Sequence, residues 1–172
     1  MYQTVLFIDL DGTLMTNPFE SAVWPVVINE LAQKSKRQPA QILQMIEDEN
    51  YARQCDDGVQ PILAMDWDDI TQTVAERLGV KITANCTELV QSHARSHSSL
   101  INYAHEALEE LQAPHRALVV ATKGLAKYQR PVMDALELTP YFTDILTPDT
   151  HNGLKKHRHF FGDWPEQAKQ AI

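Results

Sequence analysis

Apolar residues change their period several times along the chain, and each change marks an element. Val5-Leu6-Phe7-Ile8 is a short continuous apolar run closed by Asp9-Leu10-Asp11-Gly12, which predicts a strand buried on both faces, as in a parallel sheet. From about Pro18 the spacing turns helical. Trp24, Val27, Ile28 and Leu31 recur at i, i+3, i+4 and i+7, and Ile42, Met45 and Ile46 continue the pattern. Ile70, Val74 and Leu78 form a third stripe, and Cys86, Leu89 and Val90 a fourth. No strand-like run interrupts them. The spacing predicts an all-helical insertion over residues 17–96, a small lobe of its own.

The core resumes near Ser99. Ile101, Ala104, Leu108 and Leu111 predict a helix, and Ala117-Leu118-Val119-Val120-Ala121 a second buried strand. Leu125 to Leu136 is helical again, with Pro131 expected to kink or restart it. Thr143 to Thr147 predicts a third strand, and Asp163-Trp164-Pro165-Glu166 reads as a capping box that opens a last helix to Ile172. Strands alternating with helices are the signature of an α/β fold with a parallel sheet, here built from residues 1–16 and 97–172. In such sheets ligands bind beyond the carboxyl ends of the strands, so the polar residues there are the ones to weigh.

Composition narrows the partners. The 172 residues are 44% apolar and 22% charged, ordinary for a globular protein, and the net charge is −8 with both signs mixed along the chain. An acidic chain without a basic face is not built for nucleic acid. If it handles a phosphate, it must neutralise charge locally, with a divalent cation and one or two placed cations. Cys55 and Cys86 are too few for a disulfide framework or a zinc site, and apolar runs such as Ala117 to Ala121 are too short to span a bilayer. No basic region followed by a long apolar stretch opens the chain, so a cytoplasmic location without membrane contact is the expectation.

Three strand ends carry candidate chemistry. The first bears Asp9-Leu10-Asp11-Gly12-Thr13, the second Thr122-Lys123-Gly124, and the third is followed by Lys155-Lys156. Carboxylates two apart point to opposite sides of a straight strand, but the Asp11-Gly12 turn lets both face one pocket. An Asp-Gly pair alone is an ordinary turn. A buried strand running into Asp-x-Asp-Gly-Thr, with threonine and lysine at the next two strand ends, is far more specific.

On these residues the chain resembles the haloacid dehalogenase superfamily, most of whose members are phosphatases. Phe7-Ile8-Asp9-Leu10-Asp11-Gly12-Thr13-Leu14 resembles the first motif and Val119-Val120-Ala121-Thr122-Lys123-Gly124 the second. Gly153-Leu154-Lys155-Lys156 followed by Phe160-Phe161 resembles the third, and the insertion resembles that family's mobile helical cap. The resemblance implies a Rossmann-like core with the cap inserted after the first strand, and a magnesium-dependent phosphomonoester hydrolase acting on a small phosphorylated metabolite. It implies Asp9 as nucleophile, Asp11 as general acid and base, and the Asp9 carboxylate with the Asp11 main-chain carbonyl as magnesium ligands. Thr122 and amides at the start of the following helix would bind the phosphoryl group, and Lys155 would offset charge. Thr13, Lys123, Gly124 and Lys156 would form the substrate-binding surround. Dehalogenases characteristically lack the second aspartate, so Asp11 favours phosphate esters, either hydrolysed or shifted internally by a mutase.

The family's fourth motif, an acidic pair or triad after a fourth strand, has no counterpart. Asp163 lies too close to Lys155 for a helix and strand to intervene, and a fourth strand is expected only beyond Ile172. The sheet is therefore expected to keep an unpaired edge beside the first strand, and the sequence to be part of a longer protein. A degenerate domain that binds a partner or phosphometabolite without turnover is the non-enzymatic alternative. Elsewhere, His157-x-His159 is expected to be a solvated loop pair, and Asp66, Asp68 and Asp69 to serve a helix start. Trp24, Trp67 and Trp164 are expected to pack. Met15 to Pro18 and Ser96 to Ser99, the two crossings between core and insertion, are candidate hinges.

Overall fold

The structure is a computed structural model that describes residues 2–172. The apolar run near the start forms β1 (Tyr2–Ile8), and Ala117 to Ala121 lies in β4 (Arg116–Ala121). With β5 (Asp144–Leu146) and β6 (Ala168–Ala171) they make a four-stranded sheet in the order β5-β4-β1-β6, every pair parallel. A second, two-stranded ladder pairs β2 (Met15–Thr16) with β3 (Ser99–Leu100) in antiparallel fashion. These are the two crossings between core and insertion. They lie side by side, with the Thr16 and Ser99 hydroxyls 2.8 Å apart.

Between the crossings every regular element among the described residues is helical. A π-helical turn (Phe19–Val23) leads into α1 (Trp24–Ser35), followed by α2 (Pro39–Cys55), α3 (Pro61–Met65), α4 (Trp67–Arg77) and α5 (Cys86–His93). Their apolar stripes meet in a core of Val27, Leu31, Ile42, Ile46, Ile70, Val74 and Val90. That cluster continues into the sheet domain, through Leu10, Leu118, Val120 and the inward faces of α6 (Ala104–Leu111) and α7 (Ala126–Ala135). On the opposite face of β4, Ala117, Val119 and Ala121 pack with Val5, Leu146 and Phe160. The alternation along β4 thus feeds two apolar layers.

Four expectations change. Pro131 does not restart a helix, since α7 runs unbroken through it. β1 is not buried on both faces: Val5 is fully buried, whereas Leu6, Phe7 and Ile8 are half-buried. The face carrying Val5 is covered by short 3-10 turns (Arg158–Phe161 and Trp164–Glu166) instead of a long helix. The third change is the predicted terminal helix. Asp163 makes no side-chain cap bond, the helical turn stops at Glu166, and Ala168–Ala171 is β6. Finally, the edge of β1 is not open. Val5 pairs with Ala171, the Ile172 amide donates to the Val5 carbonyl at 3.0 Å, and the Phe7 amide donates to Ile172 at 2.8 Å. Unmet backbone groups on β1 outweigh the weak helical preference of Gln167-Ala168-Lys169-Gln170.

The acidic run at 66–69 does start a helix. The Asp66 side chain accepts from the Asp68 and Asp69 amides at the head of α4. Glu30 on α1 plays a longer-range part, accepting from the amides of Thr83 and Ala84 at 2.8 Å each and pairing with Lys34 at 2.6 Å. Burial works to raise its pKa, but these donors outweigh it and hold Glu30 down at about 2. A carboxylate depressed in this way stabilises the fold above the ordinary value of 4.5, and its contribution fades as pH falls towards 2. Glu30→Gln should therefore lower the thermal midpoint at pH 7 and reduce the gap to wild type at pH 2, as followed by circular dichroism.

Candidate active site

β1 ends at Ile8, and the chain turns at once. The Leu10 carbonyl accepts from the amides of Thr13, Leu14 and Met15, which closes a tight loop, and Gly12 sits at φ +74°, where glycine is favoured. Leu10 points into the core and is fully buried. The residues on either side of it, Asp9 and Asp11, project from the loop beyond the strand end.

Asp9 is half-exposed, and its Oδ1 lies 3.0 Å from Lys155 Nζ. The lysine arrives from the other side of the sheet's end. After β5 the short α8 (Pro148–His151) ends at Asn152, whose φ of +45° turns the chain back. Gly153 then packs so closely on the Arg158–Phe161 turn that a Cβ would lie 2.7 Å from His159 Nε2 and 3.3 Å from Phe160 Cα. Lys156, expected beside it, faces away. Its Nζ donates to the Gln54 carbonyl at the end of α2, so it ties the loop to the insertion and takes no part in the Asp9 group.

Thr122 follows β4 directly and is 1% exposed. Its amide donates to the Leu146 carbonyl, and its Oγ1 accepts from the Gly124 amide at 3.2 Å. Lys123 is exposed beside it, and Thr13 is exposed at the tip of the Asp9 loop. Of the amides at the start of α7, that of Ala126 is already engaged with Asp149 Oδ1 at 3.0 Å.

Asp11 is gripped at both oxygens. Asn17 Nδ2 donates to Oδ1 and Gln129 Nε2 to Oδ2, each at 2.7 Å. Burial is the largest influence on this carboxyl and pushes its pKa above the ordinary 3.8. The two amide donors pull the other way without cancelling it, and the charge of Asp9 adds to the rise. A cleft of about 340 Å³ opens beside Asp11, bordered by Asn17, Glu20, Ser21 and His97.

Asn17 and Gln129 lie outside the motifs. Gln129 did leave a trace in the sequence, as a polar residue among Leu125, Tyr128, Val132 and Met133 on the buried side of α7. Asn17, followed by proline at a crossing into the insertion, has the look of an ordinary turn residue.

No protein-family profile and no curated protein matches the sequence. Solved structures do match in shape. A HAD phosphatase from Thermococcus onnurineus superposes over 89% of this chain and 65% of its own, with a TM-score of 0.64 and 21% identity. YfnB from Bacillus subtilis, bound to magnesium, matches over 98% of this chain and 73% of its own, with a TM-score of 0.63 and 16% identity. An L-2-haloacid dehalogenase from Xanthobacter autotrophicus, with chloropropionic acid covalently bound, matches over 97% and 65%, with a TM-score of 0.55 and 17% identity.

The chain has the haloacid dehalogenase fold.

It spans 65% of the length of two of these three proteins. The haloacid dehalogenase fold carries both phosphoryl and carbon–halogen chemistry among these matches, so the fold leaves the reaction open and the site must decide it. Among the described residues no helix is long and apolar enough to cross a membrane.

A polar seam joins the insertion to α7. Lys127 Nζ lies 2.7 Å from Asp66 and 3.0 Å from Asp68, and the Tyr128 hydroxyl donates to the same two carboxylates at 2.9 and 3.1 Å. Asp68 also accepts from the Cys86 amide and the Thr87 hydroxyl, both at 2.5 Å. Burial pushes the Tyr128 pKa far up, and the two aspartate charges push it further, so the hydroxyl remains a donor.

Proposed function

We propose that the protein hydrolyses phosphate monoesters through an aspartyl-phosphate on Asp9. The observation that carries this reading is the pairing of Asp9 with Lys155 at 3.0 Å, next to a half-buried Asp11 whose pKa is raised. An Asp9 oxygen attacks phosphorus as the ester oxygen departs, and Asp11 gives its proton to that oxygen. Water then attacks the phosphorus of the intermediate, Asp11 takes the water's proton, and the Asp9 carboxylate is released with inorganic phosphate. Lys155 offsets the charge of the nucleophile and the incoming phosphate, and Thr122 holds the phosphoryl side of the pocket. A halide leaves without a proton, so carbon–halogen hydrolysis would leave Asp11 and its two amide donors without a task.

Magnesium is the cofactor this chemistry asks for. The Asp9 carboxylate and the Asp11 main-chain carbonyl are hard oxygen donors, and magnesium is commonly held by one or two carboxylates together with substrate phosphate and water. When bound, the ion would neutralise phosphate charge and orient the ester for in-line attack. The substrate is a small phosphorylated metabolite whose leaving group lies in the cleft beside Asp11, in a cytoplasmic setting.

The test is release of phosphate from an aryl phosphate with magnesium, with chelator, and with magnesium restored. Activity that vanishes with chelator and returns with magnesium supports the reading, and activity indifferent to chelation rejects the metal. Lys155→Ala should lower kcat/KM by about 100-fold, comparable to loss of one charge-stabilising donor. Lys156→Ala should change it by less than about twofold, because its ammonium serves the Gln54 carbonyl. Equal losses in the two variants would reject the assignment of Lys155.

A further inference from the structure

Gln129 lies on the inward face of α7 and is 4% exposed. Its Nε2 donates to Asp11 Oδ2 at 2.7 Å, whereas its Oε1 is buried without a partner among the described residues. A buried amide with one half unmet costs the fold stability that an apolar side chain of the same length would not. Core packing alone therefore gives no reason for glutamine here. Gly124 supplies a second, independent observation. A Cβ at this position would lie 2.0 Å from Gln129 Nε2 and 2.9 Å from its Cγ. The backbone of Gly124 is not left-handed, so it is space, not φ, that calls for glycine. The loop after β4 omits a side chain where the amide passes on its way to Asp11.

We infer that Gln129 is a positioning residue for Asp11, its amide holding Oδ2 through the gap left at Gly124. The inference rests on the role given to Asp11 above. The other carboxylate oxygen is held by Asn17, from the linker into the insertion. A carboxylate gripped at both oxygens from two elements has one orientation, and proton delivery to a leaving oxygen depends on that orientation. Gln129 itself touches neither phosphate nor leaving group; it acts through Asp11.

The experiment compares wild type and Gln129→Met, with magnesium, on two probes. One is 4-nitrophenyl phosphate, whose phenolate departs without needing a proton. The other is a short alkyl phosphate, whose alkoxide needs the proton of Asp11. In Gln129→Met the first-turnover release of alcohol from the alkyl ester should slow by about 10- to 100-fold, while first-turnover release of 4-nitrophenolate changes by less than about threefold, because hydrolysis of the aspartyl-phosphate, which also uses Asp11, is common to both esters. Equal slowing of first-turnover release from the two esters, or none, overturns the inference while leaving the phosphatase reading standing. No turnover of either ester by wild type would remove that reading, and with it any acid for Gln129 to position. A readout independent of turnover is the Gln129 side-chain amide signal in ¹⁵N-labelled protein. It should move to the position of a free amide in Asp11→Ala, and a signal indifferent to that change overturns the inference even if Gln129→Met fails to fold.

Discussion

Asp9→Asn should abolish phosphate release while leaving the protein folded. The amide is a poor nucleophile, so no aspartyl-phosphate forms, and the loss in kcat should be about 10⁴-fold or more, as when other covalent nucleophiles are removed. Little stability is at stake. The Asp9 side chain is 43% exposed and stands on a loop beyond the strand, and its pair with Lys155 is of a kind worth at most about 1 kcal/mol. Thermal unfolding close to wild type, together with absent turnover, is the expected pair of results. An Asp9→Asn protein that still releases phosphate at the wild-type rate would rule out Asp9 as nucleophile. Asp11→Asn should differ in kind, by sparing first-turnover release of the leaving group from aryl esters more than from alkyl esters, because it removes the proton donor and leaves the nucleophile in place, while hydrolysis of the intermediate slows for both.

The second large effect concerns the seam between insertion and core. Asp68→Ala should destabilise the protein by about 2–3 kcal/mol, measured by urea unfolding, because it strips partners from Lys127, Tyr128, Thr87 and the Cys86 amide at once. Asp69→Ala is the natural control. Its carboxylate pairs with Arg53 but is 47% exposed, so the change should stay within about 1 kcal/mol. Equal effects from the two substitutions would mean that the seam contributes nothing special. The seam also has a pH signature. Burial raises the Asp68 pKa, but the Thr87 hydroxyl and the Lys127 ammonium outweigh it and leave the value below the ordinary 3.8. Its stabilisation is therefore complete above that value and is lost as pH falls through the lower, folded-state pKa. Glu49, held down by Arg53 and Arg77 against its own burial, follows the same sign. Acid should loosen the insertion from the core, and Trp24 and Trp67, which stand edge to face at 5.1 Å inside the insertion, would report it by fluorescence.

The amino-acid sequence by itself determined the elements whose signals are local. The apolar run before Asp9, the five-residue run in β4 and the helical stripes between Trp24 and Val90 each bury a face defined by their own period. The Asp9-to-Thr13 turn and Thr122 were legible for the same reason, since a strand that ends in a tight polar turn must present those residues at the sheet's end. Only the tertiary structure decided what depends on distant partners. Ala168–Ala171 has no strand pattern and becomes β6 because β1 offers an edge of unmet amides and carbonyls. Lys155 and Lys156 are adjacent and chemically alike, and the packing of Gly153 against His159 and Phe160 aims one at Asp9 and the other at Gln54. Gln129 reaches Asp11 across 118 positions of sequence, and no local period encodes a contact that exists only once α7 has packed beside the first loop.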